Sequence, residues 1–133
     1  MPKHFNALEN RQIITVLDVD NYNGGQNSSV VDLIDYDGNV ASLINANNVT
    51  AGTTKTVDFK LQECATEDGT FVDATDYNFK QLTDSDSNGN HVVIIDCQNV
   101  DRYVKLASSH GTGATAIYGA MLLAVPRNST DME

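Results

Sequence analysis

DRYVKLASSHGTGATAIYGAMLLAVPRN, residues 101–128, holds two strands of different character joined by a small-residue loop. Side chains alternate across a strand. In the first strand Tyr103 and Lys105 therefore share one face, while Arg102, Val104 and Leu106 share the other. From residue 115 to 125 both alternating sets are apolar. Ile117, Met121, Leu123 and Val125 form one set; Ala116, Tyr118, Ala120, Leu122 and Ala124 form the other. A strand apolar on both sides has to be covered on both sides, by its own chain or by a neighbour. The segment is Ala-rich, a composition that also suits a helix. Thr115, Ile117, Tyr118 and Gly119, with the tight loop before them, favour strand.

Outward from this segment, alternation and β-branched content mark strands, and Gly, Asn and Asp mark turns. Residues 12–19 (QIITVLDV) and 29–36 (SVVDLIDY) read as strands, the second closed by a turn at Asp37-Gly38-Asn39. Residues 40–44 form a short third strand. Residues 55–63 (KTVDFKLQE) alternate most cleanly, with Val57, Phe59 and Leu61 opposite Asp58, Lys60 and Gln62. A turn around Asp68-Gly69 leads to an edge segment beginning at Phe71 and continuing through residues 77–82. Residues 84–90 (DSDSNGN) read as a hairpin loop, and residues 91–97 (HVVIIDC) as a buried strand. No segment holds helical periodicity. The expectation is an all-β, single-domain antiparallel β-sandwich, jelly-roll-like, with about eight short strands. It divides into an N-terminal arm (1–10), the sandwich (11–126) and a polar tail (127–133).

A chain of 133 residues with 41% hydrophobic content supports one modest core. The formal charge of −10, with only eight Lys and Arg, predicts no nucleic-acid partner, since phosphate binding needs clustered cations. Residues 1–10 show no apolar leader region, and the longest apolar run is about half the ~20 residues of a membrane helix. Neither a secretory route nor a membrane partner is therefore expected. Two cysteines, Cys64 and Cys97, are too few for a disulfide framework, and reduced thiols are expected. The three Asn-x-Ser/Thr matches, at Asn27, Asn48 and Asn128, are chance matches without that route.

Asp84, Asp86 and Asn88, followed by Gly89, reproduce the opening of an EF-hand calcium loop. The twelfth position, where a bidentate Glu belongs, is Ile95, so these residues are weak metal candidates. Asp18, Asp20 and Asn23-Gly24 are a fainter echo. His4, His91 and His110 have no carboxylate or cysteine at catalytic spacing. Gly111-Thr112-Gly113 lacks the Lys and helix onset of a phosphate loop. No cofactor and no enzymatic activity are expected. In residues 1–10, Phe5 and Leu8 stand out from a polar run as anchors for a neighbouring subunit.

The order of motifs resembles small structural proteins of tailed bacteriophages, of the capsid decoration (cement) type. Val31-Asp32-Leu33 comes first, then residues 57–63 (VDFKLQE) and 67–73 (EDGTFVD). Arg102-Tyr103-Val104-Lys105-Leu106, the Gly/Thr loop, the Ala-rich strand and Pro126-Arg127 follow. The likeness runs from about Val30 to Asn128. Such proteins often have Ser where this chain has Cys64, and a second Arg where it has Lys105.

The resemblance implies a β-sandwich on the capsid exterior, made in the host cytoplasm, with the major capsid protein as partner. It implies no catalytic residues. A homo-oligomer, most simply a trimer, would cover the second apolar face of residues 115–125. Arg102, Tyr103, Tyr118 and Leu122, with Phe5 and Leu8, are the expected interface residues. Two other readings fit the composition. One is a head–tail joining, tail or fibre-base component. The other is a calcium-dependent sugar-binding sandwich, using the 84–90 loop with Tyr22, Tyr36 and Tyr77 as stacking rings.

Overall fold

The computed structural model describes residues 12–85 and 89–126. Phe5, Leu8, Asp86 and Asn88 lie outside that range, as do the expected arm and tail. The described chain forms nine strands and one 3-10 turn. The strands are β1 (Gln12–Tyr22), β2 (Val31–Asp32), β3 (Tyr36–Ala46), β4 (Thr56–Cys64), β5 (Val72–Asp73), β6 (Leu82–Thr83), β7 (Gly89–Asp96), β8 (Tyr103–His110) and β9 (Ala116–Pro126). The 3-10 turn, Leu33–Asp35, follows β2 directly. Asp32 ends that strand by capping the turn, accepting from the Ile34 amide at 3.1 Å.

One sheet has the order β1-β9-β3-β7, the other β2-β8-β4-β5 with β6 also on β4. All pairings are antiparallel. The first strand pairs with the last, β2 with β8, β3 with β7, and β4 with β6. The chain is thus one long hairpin folded near β5 and then rolled up, which is the winding of a jelly roll. The all-β sandwich expected from alternation is what the chain forms.

The core lies between the sheets. β9 sends Ala116, Tyr118, Ala120, Leu122 and Ala124 inward, all at most 4% exposed. β3 adds Val40, Ser42, Ile44 and Ala46; β4 adds Val57 and Leu61. Each fully buried Val, Leu, Ile or Phe side chain contributes about 1.5–3 kcal/mol. Tyr118 crosses the gap, its ring edge-on to Phe59 of the opposite sheet at 5.0 Å and 88°.

Four expectations change. Asp37-Gly38-Asn39 does not reverse the chain, because residues 36–46 form one strand with a register shift between Asp37 and Ala41. Gly38, at φ +69, supplies a bulge where a turn was expected. The stretch after β6 is no hairpin loop: β6 pairs with β4 in one sheet and β7 with β3 in the other, so the chain crosses between layers. β7 is not buried on both faces. It is an edge strand with Ile95 at 0% exposure beside Ile94 at 53%. The single strand expected over residues 29–36 is broken after Asp32, which caps the 3-10 turn Leu33–Asp35.

Candidate functional site

Register places two apolar rows on the outer face of the β1-β9-β3-β7 sheet. Ile13, Leu123, Ala41 and Ile94 are successive cross-strand partners, as are Thr15, Met121, Leu43 and Val92. Ile117 and Val125 extend the face along β9 by alternation. The exposures are substantial for apolar side chains: Ile13 66%, Val92 54%, Ile94 53% and Ile117 41%. Val19, on the irregular part of β1, lies over Gly119 and is 64% exposed. The two rows contain no charged side chain. Contiguous apolar surface of this kind marks an interaction site, whereas single exposed Val or Ile residues do not.

The outer face of the second sheet is the reverse. Asp58, Lys60 and Gln62 of β4 stand beside Ser109, Ala107 and Lys105 of β8. Lys60 pairs with Asp73 at 3.2 Å, and Gln62 donates to the same carboxylate at 3.0 Å. These bonds, that from Gln62 first, hold the Asp73 carboxyl below its ordinary range. Gln81 donates to Asp58 at 2.7 Å, and the Lys105 ammonium sits 4.8 Å over the Phe71 ring. One outer face of the sandwich carries charged side chains along its length; the other is apolar over its two central rows, with Asn45 opposite Asn90 and Asn39 opposite Asp96 at its ends.

Of the expected interface residues, Tyr118 and Leu122 are corrected. They are 0% and 2% exposed inside the core, so they belong to the inward set of β9. The outward set, Ile117, Met121, Leu123 and Val125, makes the surface. Both sets are apolar, so composition alone assigns neither to the inside.

Arg102 and Tyr103 do reach the surface. Arg102 grips Asp32 with two bonds of 2.8 Å, from Nε and one terminal nitrogen, and its guanidinium lies 5.0 Å over the Tyr103 ring. The bond from Arg102 lowers the Asp32 pKa, and the carboxylate in turn raises that of Arg102. Beside them is an open recess of about 350 Å³ whose lining includes Leu33, Ile34, Tyr36, Cys97 and Val100. A bidentate Arg fixed over a ring is a preorganised contact group.

Of the weak metal candidates Asp84, Asp86 and Asn88, only Asp84 lies among the described residues. Among the described residues no group of three or more His, Cys, Asp or Glu is placed to hold an ion. Asp84 lies 3.8 Å from Lys55 Nζ, and its carbonyl accepts from Asn48 at 3.2 Å. The Asp20 carboxylate accepts from the adjacent Asn21 amide, and the Asp18 main-chain carbonyl accepts from the Tyr22 hydroxyl. The tyrosines of the sugar reading are dispersed. Tyr22 pairs with Ala116 and Tyr36 with Pro126, at opposite ends of β9. Tyr22 also packs against Tyr118 at 4.9 Å, and Tyr77 accepts from the Asp96 amide at 3.2 Å. Cys64 and Cys97 are not joined in a disulfide.

The residues that sequence reasoning missed are Ile13, Ala41, Leu43, Val92 and Ile94. The signal was present: residues 92–95 are apolar on both alternating sets, like most of residues 115–125, and residues 13–17 are so but for Thr15. What joins them into one surface is cross-strand register, which the sequence does not spell out.

No protein-family model matches the chain, and no curated protein matches it. Among solved structures the chain is similar to the SPBc2 prophage-derived protein YomS, at 14% identity and TM-score 0.45, over 84% of this chain and 92% of that one. It is also similar to CBM28, a carbohydrate-binding module specific for non-crystalline cellulose, at 11% identity and TM-score 0.47, over 85% of this chain and 74% of that one.

Proposed function

We propose that this chain is a non-enzymatic structural protein of a virion, a decoration protein that binds the outer surface of a phage head and stabilises it. The observation that carries the reading is the apolar outer face of the β1-β9-β3-β7 sheet, set against a charged outer face on the second sheet. A domain with that asymmetry works inside an assembly. The motif order of residues 30–128, which resembles phage decoration proteins, supplies the kind of assembly. An acidic chain, at −10, suits a position outside the shell, away from packed DNA.

Arg102, Tyr103 and the adjoining recess are the groups we assign to shell contact, since Arg and aromatic residues dominate the energetics of interfaces. Stabilisation then follows from mass action. A protein that binds assembled shell and not separated subunits raises shell stability by about 2.7 kcal/mol at a hundredfold excess over Kd. Repetition over many equivalent positions adds to this.

The test is to mix purified protein with undecorated heads, then measure cosedimentation and the temperature at which the heads open. Saturable binding with a raised opening temperature is expected, and Arg102→Ala should weaken the binding. Heads that neither retain the protein nor gain stability would end this reading.

A further inference from the structure

We propose that the outer face of the β1-β9-β3-β7 sheet is closed by the same face of a second copy, giving a two-fold face-to-face dimer. This deepens the assembly reading above by naming what covers the apolar sheet, and it leaves Arg102, Tyr103 and the recess free for the shell.

Size is the first consideration. Four strands about 4.8 Å apart, over nine residues at about 3.3 Å each, give a face of roughly 19 by 30 Å. That projects to nearly 600 Å², and side-chain relief brings the accessible area toward the roughly 800 Å² per partner of a stable interface. Sheets already pack in this manner inside sandwiches, about 10 Å apart and about 30° askew. The pairing would thus repeat outside the domain what the core does within it.

Symmetry is the second. A two-fold contact uses one patch twice, whereas a ring of three needs two different complementary patches. Among the described residues, the other large exposed hydrophobics are Val30 just before β2, Ile34 in the 3-10 turn and Val72 in β5. They make no second patch to receive the sheet. The geometry therefore favours a pair over the trimer expected from sequence.

Charge is the third. Each copy carries a formal −10, so a partner attracted by charge would be basic. The two central rows, Ile13-Leu123-Ala41-Ile94 and Thr15-Met121-Leu43-Val92, contain nothing to attract a basic partner. Self-pairing across these rows sets no like charges face to face. Remaining repulsion between the acidic bodies is screened by salt, so pairing should tighten as ionic strength rises.

Light scattering and sedimentation equilibrium on the full chain at micromolar concentration test the proposal. The expected particle has twice the chain mass of 14.4 kDa, and added salt should strengthen it. The double variant Val92→Glu, Ile94→Glu changes two exposed side chains on an edge strand, so it should keep its circular dichroism spectrum. It should dimerise on the order of a hundredfold more weakly, because it sets carboxylates against one another across the interface. Lys60→Glu, on the opposite sheet, should leave pairing unchanged. A wild-type monomer, a trimeric mass, or a folded double variant that pairs as tightly as wild type would each overturn the proposal. Head binding separates the two readings. A monomer that binds heads sinks the dimer alone, and a dimer that ignores heads sinks the decoration role alone.

Discussion

Tyr118 of β9 and His110 of β8 tie the two sheets together through one hydrogen bond, with 2.8 Å between the phenol oxygen and Nε2. The direction of every proton in this cluster follows from its acceptors. The Ala114 carbonyl, 2.9 Å from His110 Nδ1, can only accept, so Nδ1 donates. In the neutral ring Nε2 then accepts, and Tyr118 is its donor. Ser108 Oγ, 2.7 Å away, donates to the phenol oxygen and accepts from the Gln26 amide at 2.9 Å. Burial raises the Tyr118 pKa above its ordinary value of 10.0, which keeps the phenol a donor.

Tyr118→Phe should therefore cost more than a lost hydroxyl on the surface. It leaves His110 Nε2 and the Ser108 hydroxyl without their shared partner in a part-buried site, a loss of about 1–3 kcal/mol. Urea unfolding should show a lowered midpoint with an unchanged m-value. A midpoint equal to wild type would mean that water replaces the phenol without cost.

Neighbours on β7 should respond in opposite ways. Ile95 is fully buried and Ile94 is 53% exposed. Ile95→Ala should cost about 2–5 kcal/mol through lost burial and a cavity. Ile94→Ala should change the stability of the dissociated chain by less than about 0.5 kcal/mol, as surface substitutions do. Thermal unfolding of the two variants at low protein concentration checks which face of this edge strand is inside.

Gly119→Ala should destabilise despite being a small change in a strand. An added Cβ would lie 2.5 Å from Val19 Cγ2 and 3.0 Å from both Val19 Cα and Val19 N. Side-chain motion relieves only the first clash, so the irregular segment of β1 has to shift, at about 1–3 kcal/mol. The double variant Val19→Ala, Gly119→Ala should recover only part of the loss. Full recovery would show that the backbone approach carries no strain.

Acid should weaken the fold through Asp32 and Asp73. Bonds from Arg102 to Asp32, and from Gln62 and Lys60 to Asp73, lower both pKa values below 3.8. A carboxyl lowered on folding adds stability that is present above its unfolded pKa and is lost as pH falls through its folded one. Stability should thus decline below about pH 4. Asp32→Asn should flatten that decline while keeping the cap on the 3-10 turn, since Asn caps as well as Asp. Denaturation midpoints measured between neutral and acid pH, compared for wild type and variant, test the assignment.

The class of fold was legible because Val57, Phe59 and Leu61 alternate with Asp58, Lys60 and Gln62, and because residues 115–125 are apolar on both sides. The errors share one physical origin. Gly38 at positive φ serves a bulge as well as a turn, and the residues around it do not distinguish the two. The Asn- and Asp-rich stretch after β6 suits any exposed connection, so it hid a crossing between sheets. Tyr118, expected at an interface, lies in the interior because His110 and Ser108 satisfy its hydroxyl there. The candidate site was half legible. Its β9 strip could be read directly, but the β1, β3 and β7 strips depend on register across chain distances of up to about 110 residues.

Because β9 lies between β1 and β3, half the sandwich has a hole in its middle until residues 116–126 have been made. During synthesis β1 must wait, unpaired, until β9 is translated. Maturation should be slow, as expected where distant segments have to meet. A ribosome stalling before residue 116 would release a product with no sheet for its N-terminal strand, and proteolysis would remove it.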